Sequence, residues 1–343
     1  MRQYKGKRTI RIALIAAALV LVGLILAGLL AAKADARAAG IAQGHTQAEA
    51  VEENPFRVTF LNVGQGNCMI AESDGHYMMI DGGDNKHSSF VVSYCQNLGI
   101  EQFDYIVVSH YDADHLSGLV GVLLNFRVGT VLAPGYEADT KIYQSYLTAL
   151  KTRQLTATVP AIGDTYMLGS ASFTVVAPVS YAYDEENNNS IGIRMTDGYH
   201  SFLVLGDAQT KSEKDILETG ENLKSDVYVV SHHGSSSSTS AALLQAVQPS
   251  YGVISVGDND YGHPTDKILD RLARYNVSVL RTDQDGTLIA YSTQNGLEWQ
   301  KNVPTKLSKS YNDSSEALQW RIAVLHCCKI LWIMHHFQIH GCG

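Results

Sequence analysis

The stretch Ser109-His110-Tyr111-Asp112-Ala113-Asp114-His115-Leu116-Ser117-Gly118 places four potential metal ligands within six residues. It begins where the β-branched run DYIVV (104–108) ends, and it runs into the helical pattern LSGLVGVLL (116–124). Imidazoles and carboxylates this close together, on a loop that leads into a helix, can converge on two cations such as Zn²⁺, Mn²⁺ or Fe²⁺. A polar turn with an N-cap aspartate would explain only one of the four. The stretch therefore predicts a metal centre.

Strand patterns surround this loop on both sides. Short β-branched runs separated by glycine and aspartate predict strands, and helical patterns alternate with them. Such alternation predicts an α/β (α+β) fold with two mixed β-sheets face to face and helices outside. The clearest strand patterns are RVTFLNV (57–63), CMIAES (68–73), YMMID (77–81), SFTVVAP (172–178), SIGIRMT (190–196), HSFLVLGD (200–207) and DVYVVSHHG (226–234).

The N-terminus has the pattern of a membrane anchor. Residues 12–32 carry no charge over about the length that spans a bilayer as a helix. Basic residues precede this segment, which predicts a cytoplasmic N-terminus and an extracytoplasmic remainder. Cleavage at the small residues that follow, giving a secreted protein, is the alternative to an uncleaved anchor. A buried core helix is a third interpretation, which the basic flank disfavours.

The sequence predicts four segments. Residues 1–37 form a basic cytoplasmic stub with the anchor, and the small, polar and acidic residues 38–54 form a linker. Residues 55–300 form the main folded domain, which contains the strand and helix patterns. Residues 301–343 match no strand or helix pairing and are predicted to be a poorly ordered tail. The cysteines and histidines of this tail make a second metal site an alternative interpretation.

Charge and cysteines limit the possible functions. Beyond residue 37 the chain has 19 basic and 33 acidic residues, a net charge of −14. That balance disfavours a protein that holds nucleic acid by broad neutralisation of phosphates. Cys68 and Cys95 are compatible either with a disulfide or with two buried thiols, and the sequence leaves both open.

The pattern His-x-Asp-x-Asp-His at a strand end resembles the metal-binding signature of the metallo-β-lactamase superfamily. The chain has the variant of this signature in which aspartate replaces the second histidine, and that variant is typical of the soluble domain of the ComEC competence-protein family. The resemblance extends over residues 56–292 and implies the αββα sandwich of that superfamily with two divalent metal ions, zinc or manganese. The motifs that carry it, in order, are FLNVGQGNCMIAESDG, MIDGG, NNNSIGIRM, FLVLGD, VVSHHGS, SVGDNDYGHPT and RTDQDGTL.

The resemblance also implies a role for individual residues. One metal would be held by His110 and Asp112, and the other by Asp114 and His115. Asp207 would bridge the two. Asp81 would support the metal loop as a buttress, and His232 would be the remaining histidine ligand. Asn188 would support the site from the region where relatives have a further histidine. His233 would face substrate, and Asp114 and His263 would also act in catalysis.

Of His232 and His233, the first is favoured as the ligand because it leaves its strand as His110 does. Strand alternation aims the two side chains differently without saying which one aims inward. The assignment therefore stays open at this point.

The implied chemistry is hydrolysis, in which two cations lower the pKa of a shared water and orient an ester. A phosphodiester, possibly DNA, is the leading substrate, because the resemblance is to a competence protein. A phosphocholine- or teichoic-acid-type ester of the cell envelope is the second possibility, and a non-catalytic membrane-anchored binding module is the third. The sequence leaves the oligomeric state open.

Overall fold

The computed structural model describes residues 56–303 of the chain. Within that range no helix is both long and apolar enough to cross a bilayer. The predicted anchor at 12–32 and the linker at 38–54 lie outside the described residues, as does the tail from residue 304 onward.

The described residues form strands and helices in a mixed order. Strands β1 to β15 are Arg57–Phe60, Met69–Ser73, His76–Ile80, Gln102–Val107, Arg127–Leu132, Ala157–Thr158, Thr165–Leu168, Ala171–Ala177, Gly192–Thr196, Ser201–Val204, Val227–Val229, Tyr251–Ile254, Ser278–Arg281, Leu288–Thr293 and Gly296–Gln300. Helices α1 to α7 are Ser88–Asn97, Ala113–Asn125, Lys141–Arg153, Thr210–Glu218, Ala241–Val247, Asp266–Arg274 and Thr282–Asp285. Short 3₁₀ turns lie at Asn85–His87, Glu186–Asn189 and Ser231–Gly234.

The strands form two mixed sheets. The first sheet has eight strands in the order β15-β14-β1-β2-β3-β4-β5-β6, and the second has seven in the order β13-β12-β11-β10-β9-β8-β7. In the first sheet β3, β4, β5 and β6 run parallel, while β3 pairs antiparallel with β2. In the second sheet β10 to β13 run parallel, while β10 pairs antiparallel with β9. Each sheet therefore changes from antiparallel to parallel pairing at one strand.

Alternating side chains place the two sheets between layers of helices. In β10, Phe202 and Val204 join the core between the sheets, while Leu203 joins the core under α4, α5 and α6. In β2, Met69 faces the inter-sheet core and Ile70 faces the core under α1, α2 and α3. Because successive strand residues point to opposite faces, both sheets are apolar on both sides. The predicted sandwich of two mixed sheets between helices is confirmed.

The ends of the parallel strands determine where polar residues collect. Asp81 follows β3, His110 lies three residues beyond β4, Asp207 lies three residues beyond β10, and His232 and His233 follow β11. In open α/β sheets, ligands bind beyond the carboxyl ends of the strands, next to the point where the strand order changes direction. The topology therefore gathers side chains that are more than a hundred residues apart at one edge of the sandwich.

Helix α2 packs directly on the loop after β3. Gly82 N donates to His115 O at 2.7 Å, and Gly118 N donates to Gly83 O at 3.2 Å. A Cβ at Gly118 would overlap the backbone oxygen of Gly82. A glycine is therefore needed for the helix to lie this close to the loop that carries Asp81.

Replacing Gly118 by alanine should lower the free energy of unfolding by about 2 kcal/mol or more, because a backbone atom has to move. Gly121→Ala on the same helix is the matched control, since its Cβ would meet a side-chain atom of Val92 at 3.1 Å. That substitution should cost little, or stabilise by up to about 1 kcal/mol through helix propensity. Guanidinium denaturation measures both, and equal effects would contradict the tight contact.

Cys68 and Cys95 are free, buried thiols in the core under α1, α2 and α3. Burial raises the pKa of the Cys95 thiol to about 12, and burial followed by the charges of Cys95 and Asp81 raises the pKa of Cys68 well above its usual value. Both thiols therefore stay protonated at neutral pH and behave as small apolar side chains.

Iodoacetamide at pH 8.5 should leave Cys68 and Cys95 unmodified in the folded protein, because only an accessible thiolate reacts. Both should be alkylated once guanidinium unfolds the chain. Mass spectrometry of the two peptides distinguishes them from the other cysteines of the chain, and rapid labelling of either peptide without denaturant would contradict the burial.

Candidate metal centre

The loop between β4 and α2 presents the four residues of the histidine–aspartate motif. His110 and His115 are buried, and their ring centroids lie 4.2 Å apart. Asp112 takes the N-cap position of α2 without capping the helix, and its Oδ2 lies 3.5 Å from His110 Nε2. Asp114, in the first turn of α2, lies with its Oδ2 3.4 Å from His233 Nε2.

Asp81 is fully buried behind this loop, and its carboxylate accepts four hydrogen bonds. Ser109 donates from its backbone N and from its hydroxyl, both at 2.8 Å, and Asn67 Nδ2 donates at 3.0 Å. The fourth bond joins His115 Nδ1 to Asp81 Oδ2 at 2.8 Å. A carboxylate on Nδ1 orients an imidazole so that Nε2 is available to a metal. The structure thus places Asp81 behind the ligands, where the resemblance puts its buttressing role.

Asp207 lies opposite the motif, on the turn after β10. Its Oδ1 is 3.2 Å from His115 Nε2, and its Oδ2 is 4.0 Å from His110 Nε2. The same Oδ2 is 3.7 Å from His232 Nε2 and 3.5 Å from His233 Nε2. One carboxylate therefore faces all four imidazoles, and its role as the bridging ligand stays a prediction.

The structure corrects the assignment of His233 to the substrate side. His233 is buried, its Nδ1 is 2.7 Å from Ser255 O, and its Nε2 is 3.2 Å from His115 Nε2. Both His232 and His233 have a left-handed backbone with φ of 53°, so strand alternation does not apply to them. His233 consequently belongs to the inner cluster. His232 also faces Asp207, but it is 20% exposed and lies nearer the surface.

The structure also corrects the assignment of Asn188 as the supporting asparagine. Asn188 Oδ1 accepts from Gln209 N at 3.1 Å and from Ser212 N at 3.3 Å, and so binds the first turn of α4. Asn187 is the asparagine that faces the cluster, with its Nδ2 3.4 Å from His232 Nε2. The 3₁₀ turn that contains both residues rotates the two side chains to different sides.

His263 lies at the outer side of the cluster, with its ring centroid 5.5 Å from that of His232. Burial and the charges of His232 and His233 lower its pKa, so the neutral ring is favoured at pH 7. Its Nδ1 is buried and has no hydrogen-bond partner among residues 56–303. This placement brings His263 next to the metal ligands and leaves its role in catalysis a prediction.

The carboxylates of the cluster are held ionised by the imidazoles. Burial alone would raise the pKa of Asp207, but His115 and His233 outweigh it and lower that pKa well below its usual value. Burial would also raise the pKa of Asp114, but the hydrogen bond from His233 and the charge of His115 outweigh it and lower that pKa. In the opposite direction, Asp207 and Asp81 outweigh burial and raise the pKa of His115. The carboxylates are therefore in the anionic form that binds divalent cations.

The donor set fits divalent metal ions. Two overlapping groups have ligand atoms within 4.8 Å of one another, namely His110, His115 and Asp207, and Asp114, His115 and His233. His115 and His233 both direct Nδ1 at an acceptor, so their Nε2 atoms, 3.2 Å apart, both face the cluster, where a metal ion would bind them. His110 Nε2 is also buried, and no hydrogen bond to it occurs in the described part of the chain.

Sequence reasoning overlooked Asn67, Ser109 and Ser255. Asn67 and Ser255 line a cavity of about 10 Å³ beside Asp207, His115 and His233, which is close to the space that a single water requires. The buried Asn67 Oδ1 and Ser255 Oγ have no hydrogen-bond partner within residues 56–303. Asn67 lies in the motif FLNVGQGNCMIAESDG, which is part of the resemblance, whereas nothing in the sequence points to Ser255.

The αββα sandwich and its edge cluster of histidines and aspartates define a metallohydrolase class of fold. Residues 61–258 match the family model of the metallo-β-lactamase superfamily, and the chain belongs to that superfamily. The resemblance to the ComEC competence proteins is confirmed as well. The chain is 29% identical over 251 residues to ComE operon protein 3 of Bacillus subtilis (strain 168), and 30% identical over 245 residues to competence protein ComA of Neisseria gonorrhoeae.

These matches cover 67% and 70% of this chain but only 32% and 33% of the two relatives. The chain therefore spans about a third of the length of the relatives it matches. Among solved structures, the metallo-β-lactamase fold protein YhfI from Bacillus subtilis is similar, with a TM-score of 0.46 and 14% identity, over 68% of this chain and 99% of that one.

Asp81→Asn should weaken Zn²⁺ binding by about 10- to 100-fold, because His115 loses the carboxylate that orients it. A competition titration with a fluorescent chelator measures this, and circular dichroism shows that the variant is folded. Asp139→Asn, at an exposed aspartate before α3, is the control and should bind as the parent does. Unchanged affinity in Asp81→Asn would mean that the bond to His115 Nδ1 does not matter for the metal.

Proposed function

We propose that residues 55–300 form a metal-dependent phosphodiesterase that acts as a nuclease outside the cytoplasm. The observation that carries the proposal is the convergence of His110, His115 and Asp207 with Asp114 and His233 at one edge of the sandwich. Two divalent cations, zinc or manganese, would lower the pKa of a water and polarise the ester.

The residues around the ligands have separate tasks in this reaction. Asp114 is ionised, and its side chain is 32% exposed, so it can accept a hydrogen bond from an attacking water and orient it. His263 lies one ring farther out and can bind a phosphoryl oxygen. The burial of His115 and His233 fixes the ligand geometry before substrate arrives, which lowers the reorganisation needed in the transition state.

A phosphodiester of DNA is the proposed substrate because the chain resembles the ComEC competence proteins, and one relative is named competence protein ComA. Since the matched region is only about a third of those proteins, we propose the hydrolytic step alone and not the uptake of DNA. The basic flank and the uncharged residues 12–32 support a single-pass anchor that holds the domain outside the cytoplasm.

A phosphocholine- or teichoic-acid-type ester is the second candidate, and one observation favours it. The net charge of −14 beyond residue 37 opposes tight, nonspecific binding of DNA. A DNA substrate must therefore be held locally at the site, whereas a small zwitterionic ester needs no basic surface.

Protein loaded with Mn²⁺ or Zn²⁺ should hydrolyse bis(p-nitrophenyl) phosphate, EDTA should abolish the activity, and added metal should restore it. Asp114→Ala should lower kcat by about 100-fold or more, since it removes both a ligand and a water-orienting group. Asp139→Asn should stay within about twofold of the parent. Released p-nitrophenol is read by its absorbance.

The same preparations distinguish the candidate functions. Cleavage of single-stranded DNA, with phosphocholine esters left intact, supports the nuclease, and the reverse preference supports the envelope esterase. Stoichiometric metal binding without turnover of any diester would contradict the proposal and favour the non-catalytic binding module.

A further inference from the structure

Tyr261 is an exposed aromatic side chain next to the metal centre. Tyr261 is 74% exposed, and its ring centroid lies 5.7 Å from that of His263 with an angle of 28° between the planes, which is an offset, nearly parallel arrangement. His263 in turn contacts His232, whose Nε2 is 3.7 Å from Asp207 Oδ2. An exposed aromatic ring therefore lies two rings away from the carboxylate of Asp207.

The loop that carries Tyr261 is held rigidly by Asn259. Asn259 Oδ1 accepts from Tyr261 N at 3.1 Å and from His263 N at 3.0 Å. Its Nδ2 donates to Gly257 O at 2.8 Å and to His263 O at 2.9 Å. The side-chain amide thus uses both donors and two acceptor sites within its own loop.

The loop is also fixed to the histidine turn of the metal centre. Thr265 N donates to Gly234 O at 3.0 Å, and a Cβ at Gly234 would meet Pro264 at 2.5 Å. The backbone that carries Tyr261 is therefore positioned relative to His232 and His233 before any substrate binds. A single exposed aromatic residue needs no explanation by itself, but one on a loop fixed beside a reactive centre does.

We propose that Tyr261 is a substrate-positioning residue on which a nucleobase next to the scissile phosphate stacks. The inference rests on the proposed function and deepens it by naming a nucleic acid as the substrate. Stacking of a base on an aromatic ring is largely independent of sequence and needs no positive surface charge. Base stacking can therefore bind a nucleic acid at the site of an acidic domain, where broad neutralisation of the phosphates is unfavourable.

The geometry favours a flat base over a choline headgroup. A quaternary ammonium binds best inside a cage of several aromatic faces. Among residues 56–303, the only aromatic ring beside Tyr261 is that of His263, 5.7 Å away, so Tyr261 offers an open flat face and no cage. A planar ring can cover that face completely, whereas a trimethylammonium group would remain mostly in water.

The test measures binding in an Asp114→Asn background, in which turnover is suppressed. A fluorescein-labelled hexathymidylate is titrated by anisotropy in the presence of Mn²⁺, beside an abasic strand with the same number of phosphates. Tyr261→Ala should weaken binding of the hexathymidylate by about 5- to 100-fold and leave binding of the abasic strand unchanged. Tyr261→Phe should bind the hexathymidylate within about twofold of the parent, since it keeps the ring.

Tyr199→Ala is the matched control, because Tyr199 is also exposed, at 54%, and lies in the turn between β9 and β10, at the opposite end of β10 from Asp207. It should leave binding of both strands unchanged. Equal affinity of Tyr261→Ala and the parent for hexathymidylate would overturn the proposal. Equal losses on both strands would also overturn it, because they would indicate a structural effect.

A third result would also overturn the proposal. In it, Tyr261→Ala loses affinity for a phosphocholine diester while its affinity for DNA stays equal to that of the parent. Failure of the proposed function has a different signature. In that case the metal-loaded parent would not hydrolyse bis(p-nitrophenyl) phosphate, while the base-dependent difference in binding would still be measurable.

Discussion

The carboxylate of Asp81 is the constraint on which the rest of the site depends. A buried carboxylate is tolerated only when its oxygens are fully hydrogen-bonded, and Asp81 achieves this with donors from three separate segments. Asn67 belongs to the turn after β1, Ser109 to the loop after β4, and His115 to α2. Satisfying one buried charge therefore fixes the relative positions of a turn, a loop and a helix. Both motif histidines adjoin this network, since Ser109 Oγ also lies 3.0 Å from His110 Nδ1.

The second sheet supplies the other half of the site by the same topological rule. Asp207 and His233 both lie at carboxyl ends of its parallel strands, opposite the Asp81 network. Neither sheet contains a complete ligand group. Each of the two three-residue groups takes two residues from the motif that follows β4 in the first sheet and one residue, Asp207 or His233, from the second sheet. The packed interface between the sheets is thus what brings the ligands to within 4.8 Å.

Much of this arrangement could be predicted from local sequence. The strand–loop–helix context of the His-x-Asp-x-Asp-His pattern is enough to place His110 to His115, and the two mixed sheets follow from alternating strand and helix patterns. The short strands β6, β7 and β15 were not predicted, since β6 has two residues and the other two show weak apolar patterns. The place of His233 could not be predicted, because the left-handed backbone of its 3₁₀ turn breaks the strand alternation on which that assignment was based. The place of Asn188 could not be predicted either, because three asparagines follow one another in a 3₁₀ turn and the resemblance does not say which of them faces the site. Ser255 contributes a backbone carbonyl, which carries no residue-specific signal.

Because each three-residue ligand group joins the two sheets, ion binding and folding are thermodynamically linked. An ion that binds the folded state alone, at a hundred times its dissociation constant, adds about 2.7 kcal/mol to stability. Unfolding would separate Asp207 from the motif and release the ion, so proteases should encounter the open chain less often when ions are plentiful. The supply of divalent ions would then control the lifetime of the folded domain.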